Sequence, residues 1–202
     1  MGRPREVSDQ AILAAACRCF LEKGAAVPAT VIAAAVGVSH TTLFNRFGSK
    51  QGLLIAALGP PKVLPWKALV DAGPDERPIP EQFVEIGLAA TLHFRRISPG
   101  LAILRAAGMS SGEMFAGCDE PSPLQARRAL HGWLERAVTA GRIAACDPVH
   151  LTQMILGALN GRVFHDRVLD RQNVAAEDEA FVRHFADTLW RGLDPRRRER
   201  GA

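Results

Sequence analysis

The segment Val31-Ile32-Ala33-Ala34-Ala35-Val36-Gly37-Val38-Ser39-His40-Thr41-Thr42-Leu43-Phe44-Asn45-Arg46-Phe47 leaves few folds open to the chain around it. Two short helices joined by a tight turn must cross at a steep angle. Ala33 is small where the second helix must come close. Gly37 tolerates the left-handed backbone that such a turn demands. Val38 and Leu43 supply apolar contacts that hold the angle, with Ile32 and Phe47 beneath them. Ser39 is placed to cap the second helix, which leaves His40, Thr41 and Thr42 in its first turn. Residues of this kind at the start of a helix can reach base edges and phosphates in a major groove. The plainer alternative is a helical hairpin with a polar end. It loses ground because an upstream helix, the run Leu43-Phe44-x-x-Phe47-x-x-Lys50 and a basic N-terminal arm accompany the pair.

The rest of the chain reads as helix. Residues 8–23 carry Ile12, Leu13, Ala16, Cys17, Phe20 and Leu21 at spacings of three and four, with Ser8 as N-cap and Gly24 as stop. The second helix is expected at 28–36 with Pro28 in its first turn, the third at 39–47, and a fourth from Lys50 with Leu53, Leu54 and Leu58. The stretch 59–78 is rich in Pro and Gly and reads as a connector. Helices are then expected at 80–97, 99–107, 122–140, 148–169 and 178–192, with breakers at Ser98-Pro99-Gly100, between Gly108 and Pro123, at Gly141, at Asp147-Pro148 and at Asn173. No stretch has strand-like alternation of adequate length. The expected organisation is a helix-turn-helix head at 1–58, a connector at 59–78, a helical body at 79–194, and a basic tail at 195–202.

Charge is uneven along the 202 residues, whose net charge is +4. Residues 1–50 hold six Lys or Arg against three Asp or Glu, and residues 191–202 hold five Arg against two acids. The body between is slightly acidic. A basic end on a near-neutral body points to a polyanion met by that end alone. Arg3 and Arg5 precede the first helix of the head, so an arm reaching a minor groove is favoured over a solvated tail. The arginines at 196–198 and 200 read as solvated.

The run Gly2-Arg3-Pro4-Arg5, then Ala15-x₄-Phe20-x₃-Gly24, then Ile32-Ala33-x₃-Gly37-Val38-Ser39-x₃-Leu43-Phe44-x-x-Phe47-x-x-Lys50 resembles the DNA-binding domain of TetR-type (tetracycline-repressor-like) regulators, over about residues 2–58. Beyond it the likeness is one of architecture, with several helices ending in a long pair. The resemblance implies an all-α chain: a three-helix helix-turn-helix head, and a C-terminal helical bundle that binds a ligand and dimerises. It implies that Ser39, His40, Thr41, Thr42 and Asn45 face DNA and that Lys50 holds a phosphate. Two positions depart from the family pattern. Phe44 stands where Tyr is usual, which removes a hydroxyl that touches phosphate. Pro28 stands where a Thr or Ser commonly caps the second helix, which leaves either Thr30 as the substitute or the contact missing.

In the body, the expected dimer face is Leu151, Ile155, Gly157 and Gly161 on the first long helix with Phe181, Phe185 and Leu189 on the second. They would form a four-helix bundle with a second copy, and packing within one chain is the alternative. The ligand candidates are Phe83, Leu104, Met109, Phe115, Trp133 and Met154, with His93 and His165 as polar partners. The loop 108–123 is the expected entrance. This mix suits an apolar or aromatic ligand.

Neither a metal nor a cofactor is expected. Cys17, Cys19, Cys118 and Cys146 have no zinc-type spacing and read as reduced thiols. No catalytic motif is present, so no enzymatic activity is expected. With no long apolar run and no secretory signal, the chain reads as cytoplasmic and free of the membrane. The leading functional reading is a homodimeric repressor. It would bind a palindromic double-stranded operator and be released by a small-molecule effector. The competing reading is a helical ligand-binding or adaptor protein whose head lacks sequence-specific DNA binding.

Overall fold

Three serines set the helix starts of the N-terminal domain. Ser8 accepts a hydrogen bond from the Ala11 amide, Ser39 from Thr42 and Ser49 from Gly52, at 3.2, 3.0 and 2.9 Å. Each satisfies an amide that a helix start leaves without a partner. In the computed structural model, which describes residues 7–116, 118–171 and 174–194, these caps open α1 (Asp9–Lys23), α3 (His40–Phe47) and α4 (Lys50–Leu58). Between α1 and α3 lies α2 (Ala29–Val36), which ends on Gly37 at φ 71°, ψ 31°. The arm residues Arg3 and Arg5 and the basic tail 195–202 lie outside the described residues.

The remaining helices are α5 (Lys67–Asp71), α6 (Ile79–Ala106), α7 (Ser111–Met114), α8 (Ser122–Thr139), α9 (Pro148–Val168) and α10 (Ala175–Leu193). No strand occurs among the described residues. No helix there is long and apolar enough to cross a membrane.

Four sequence expectations are corrected. Pro28 is the N-cap of α2, in extended backbone, and not its first helical residue. The separate helices expected at 80–97 and 99–107 are one, α6, with Pro99 inside it. Pro99 removes one helical hydrogen bond. The three-and-four spacing of Phe83, Ile86, Ala90, His93, Ile97, Gly100 and Leu104 nevertheless continues across it in phase, so packing outweighs the local break. The loop expected at 108–123 holds α7, closed by a capping box between Ser110 and Glu113. The connector expected at 59–78 contains α5, and its Leu64, Trp66 and Val70 are core residues.

The chain folds as two units, described separately. One comprises the residues up to Pro60 with Ile97–Cys118. Its core joins Ile12, Ala16 and Phe20 of α1 to Ile32 and Ala33 of α2, Leu43 of α3 and Leu53, Leu54 and Leu58 of α4, with Leu104, Met109 and Met114 completing it. Each large side chain so buried contributes about 1.5–3 kcal/mol. The other unit comprises Pro61–Arg96 and the chain from Asp119 onward. Phe83, Ile86, Leu130, Trp133, Leu134, Leu151, Ile155, Leu159 and Val182 form its centre.

A charged cluster ties three elements of this second unit. Arg95 of α6 bonds Asp166 of α9 at 2.6 Å and makes a two-pronged contact with Asp178 of α10. Asp166 is only 1% exposed. Burial raises its pKa, but the Arg95 hydrogen bond and the charges of Arg162, Arg95 and Arg171 outweigh that and hold the carboxyl below its usual value.

Candidate nucleic-acid interface

The turn between α2 and α3 is fixed by backbone and cap together. Gly37 takes the left-handed conformation that any side chain would strain. The Val38 amide returns to the Ala33 carbonyl at 3.1 Å. Leu43 is buried against the head's core, so one face of α3 is fixed inward. Thr41 and Asn45 then stand exposed on the opposite side and His40 at the edge, with Phe44 half-buried. The His40 and Phe44 rings meet in a T-shape, with centroids 4.2 Å apart. Phe44 is therefore a packing residue that steadies His40.

Ser39 and Thr42 are engaged with each other. Their hydroxyl oxygens lie 2.8 Å apart, and Ser39 also accepts from the Thr42 amide. Their first role is to cap α3, and exposed Thr41 carries the free hydroxyl of this turn. Thr30 is exposed in the first turn of α2, whose N-cap Pro28 offers no side-chain hydrogen bond. Lys50 occupies the first position of α4, half-buried, directly after the Ser49 cap. Among the described residues expected to face DNA, the structure thus gathers Ser39 to Thr42, Phe44 and Asn45 on α3, with Thr30 and Lys50 opening the neighbouring helices.

Two residues of this surface carry no role in the sequence reading. A Cβ on Gly52 would lie 2.1 Å from the Phe47 carbonyl oxygen, so glycine is what lets the first turn of α4 seat against the end of α3. A glycine inside a helix, costing about 1 kcal/mol relative to alanine, was the available signal. Arg46 bonds the Val7 carbonyl and, at 3.0 Å, the Asp9 carboxylate. Partners 37 and 39 residues away leave no local trace.

The expected ligand residues do not form one cluster. Phe83 and Trp133 do meet, at 5.5 Å between ring centroids, and His93 is buried further along α6. Leu104 and Met109 are buried in the head's unit and Phe115 packs against that core, so they take core places there. Met154 is 62% exposed and His165 is exposed too, on the outer side of α9. Two open grooves flank Arg127 in the body. One, of about 280 Å³, is lined by residues that include Phe94, Pro123, Leu156 and Gly157. The other, of about 400 Å³, includes Leu124, His131 and Val149.

The expected dimer residues divide in the same way. Leu151 and Ile155 are buried in the chain's own core, and Phe181, Phe185 and Leu189 pack against it. These side chains face inward, where their spacing of four carries them. Gly157 and Gly161 are exposed, on a face of α9 that also carries Met154, Phe164 and Val168 at 62%, 65% and 64% exposure.

Comparison with known proteins agrees with this geometry. Residues 12–57 match the family model of bacterial regulatory proteins of the tetR family. No curated protein matches the chain. A TetR transcriptional regulator from Streptomyces coelicolor is 24% identical, with a TM-score of 0.59 over 88% of this chain and 95% of that one. FadR from Bacillus subtilis, solved with stearoyl-CoA, is 19% identical, with a TM-score of 0.65 over 87% of this chain and 95% of its own. The TetR-family regulator PfmR from Thermus thermophilus is 22% identical, with a TM-score of 0.61 over 90% and 95%. The head built on α1 to α4 is thus similar to the DNA-binding part of the tetR family of bacterial regulatory proteins.

Proposed function

We propose that this chain is a cytoplasmic, homodimeric transcriptional repressor that binds a palindromic operator and leaves it when a small apolar or aromatic ligand binds the body. The observation that carries the reading is the face of α3. His40, Thr41 and Asn45 stand exposed on a helix that is held by buried Leu43 and whose start is capped by Ser39. Such a face gives base edges a rigid set of donors and acceptors. Thr30 and Lys50 contribute phosphate contacts, as do Arg3 and Arg5 of the arm.

The effector site we assign to the neighbourhood of Phe83, His93 and Trp133. The Phe83–Trp133 contact supplies an aromatic wall, and His93 lies on the same inward stripe of α6. The stearoyl-CoA bound by FadR, whose fold this chain shares, supports an apolar ligand. The dimer face we assign to the exposed side of α9, with Gly157 and Gly161 allowing close approach. The role is one of binding and release, without catalysis.

Fluorescence-anisotropy titration against DNA flanking the chain's own gene tests the reading. Binding at least tenfold tighter than to a scrambled duplex is expected, with affinity falling steeply as salt rises. Binding that is salt-sensitive but blind to sequence would favour the adaptor reading, which Phe44 and Pro28 motivate.

A further inference from the structure

The two grooves of the second unit share a wall at Arg127 of α8. In the smaller one, Phe94 of α6, Pro123 and Ala126 of α8, and Leu156 and Gly157 of α9 form the sides. Arg127 is the only charged residue among the described residues that line it. An exposed arginine is ordinary by itself. Its neighbours, however, have partners: Arg128 meets Glu120 at 3.5 Å, and His131 meets Glu135 at 3.3 Å. Arg127 forms neither an ion pair nor a hydrogen bond with another described residue. An unengaged guanidinium thus stands at the rim of an apolar groove.

That combination selects among occupants. A neutral apolar molecule would strip water from the guanidinium and return no hydrogen bond, which is costly for a charge. A cation would be repelled by Arg127 and, in the adjoining groove, by Arg128. An anion with an apolar tail satisfies both parts of the site. The planar fork of an arginine matches a carboxylate with two parallel hydrogen bonds, and such charge-assisted bonds are the stronger kind. The larger groove is lined by Arg127 and Arg128 against Glu120, an excess of one positive charge with the histidine neutral. A phosphate monoester, with a charge of about −1.5 to −2, would bring more than that excess can balance. The smaller groove, at about 280 Å³, lies at the low end of small-molecule sites, which run from about 300 to 1,000 Å³. It suits a short tail.

We propose that the groove between α8 and α9 is a binding site for a small amphipathic carboxylate. The tail lies against Phe94, Pro123 and Leu156, and the carboxylate is gripped by Arg127. This site is separate from the effector neighbourhood of Phe83, His93 and Trp133. Trp133 is buried on the inward side of α8, whereas Arg127 is exposed. Gly157 also belongs to the face assigned to the dimer, so a side chain of the second copy is the competing occupant.

Calorimetric titration of the full-length protein, without DNA, tests the proposal whether or not the regulator reading holds. The probes are octanoate, octan-1-ol, octylammonium and butanoate. Octanoate is expected to bind at least tenfold tighter than each of the other three, at one per chain. Arg127→Gln should weaken octanoate at least tenfold and change octan-1-ol less than about twofold. Arg127→Lys should keep part of the octanoate affinity, because the charge remains and the fork is lost. Pro123→Glu, on an exposed wall position, places a carboxylate one turn from Arg127 and should weaken octanoate at least fivefold. Equal affinity for octanoate and octan-1-ol would overturn the proposal. So would octanoate binding that neither Arg127→Gln nor Pro123→Glu alters, since the carboxylate would then sit elsewhere. A natural chain that binds no octanoate would overturn it too, and leave the groove to the second copy.

Discussion

At the scale of single residues, the polar face of α3 divides into groups that build the helix start and groups left exposed. Ser39 and Thr42 hold the helix start through their mutual hydrogen bond, and Phe44 holds His40. Thr41 and Asn45 are left exposed, and the regulator reading assigns base contacts to them. Thr41→Ala is therefore expected to reduce discrimination between the operator and a scrambled duplex by about 1–3 kcal/mol. Thr42→Ala should instead lower helix stability and weaken binding to both duplexes alike. Competition titrations with the two DNAs separate these outcomes. His93 makes a second residue-scale prediction. Burial, followed by the nearby Arg96 charge, holds its imidazole below the ordinary value of 6.5. The unfolded chain thus takes up the proton first. The stability that neutral His93 contributes is complete above that value and is lost as pH falls through the lower, folded-state pKa. The thermal midpoint should drop between about pH 7.5 and about pH 5.5 by more in the natural protein than in His93→Leu.

At the scale of elements, local signals were read where the cause is local. Ser8, Ser39 and Ser49 mark their helix starts because a cap acts within three residues. Gly37 marks the turn because its backbone conformation excludes other residues. The signals at Pro99 and at 59–78 are equally local, but distant packing decides those places. The inward stripe of α6 runs through Pro99, and Trp66 is buried in a core assembled largely from α6, α8 and α9. The expected dimer residues of α9 divide between a buried and an exposed side for a related reason. Spacing identifies an apolar face without telling whether the chain itself or a partner covers it, and Leu151 and Ile155 are covered by the chain itself. The Arg95 cluster was not read at all, because its members are 71 and 83 residues apart. Removing Arg95 leaves Asp166 and Asp178 buried and short of a partner. Arg162 and Arg171 still offset part of the charge, so Arg95→Met should cost about 1–3 kcal/mol, measured by urea unfolding.

At the scale of the whole molecule, dimerisation and operator reading are expected to act together, since two heads held at a fixed spacing read two half-sites. The exposed face of α9 combines small Gly157 and Gly161 with large apolar Met154, Phe164 and Val168. Phe164→Glu places a charge in the middle of that face, while the residue it replaces contributes little to the core. Sedimentation should find the natural chain dimeric and Phe164→Glu monomeric, with an unchanged helical spectrum and operator affinity at least tenfold weaker. An unchanged dimer would move the interface elsewhere.

The most direct test of the account is a footprint of the natural protein on the DNA flanking its own gene. The account predicts one protected palindrome with half-sites about 34 Å, one helical turn, or a multiple of it, apart. Protection spread evenly along the DNA, or a single half-site without its symmetric partner, would contradict it.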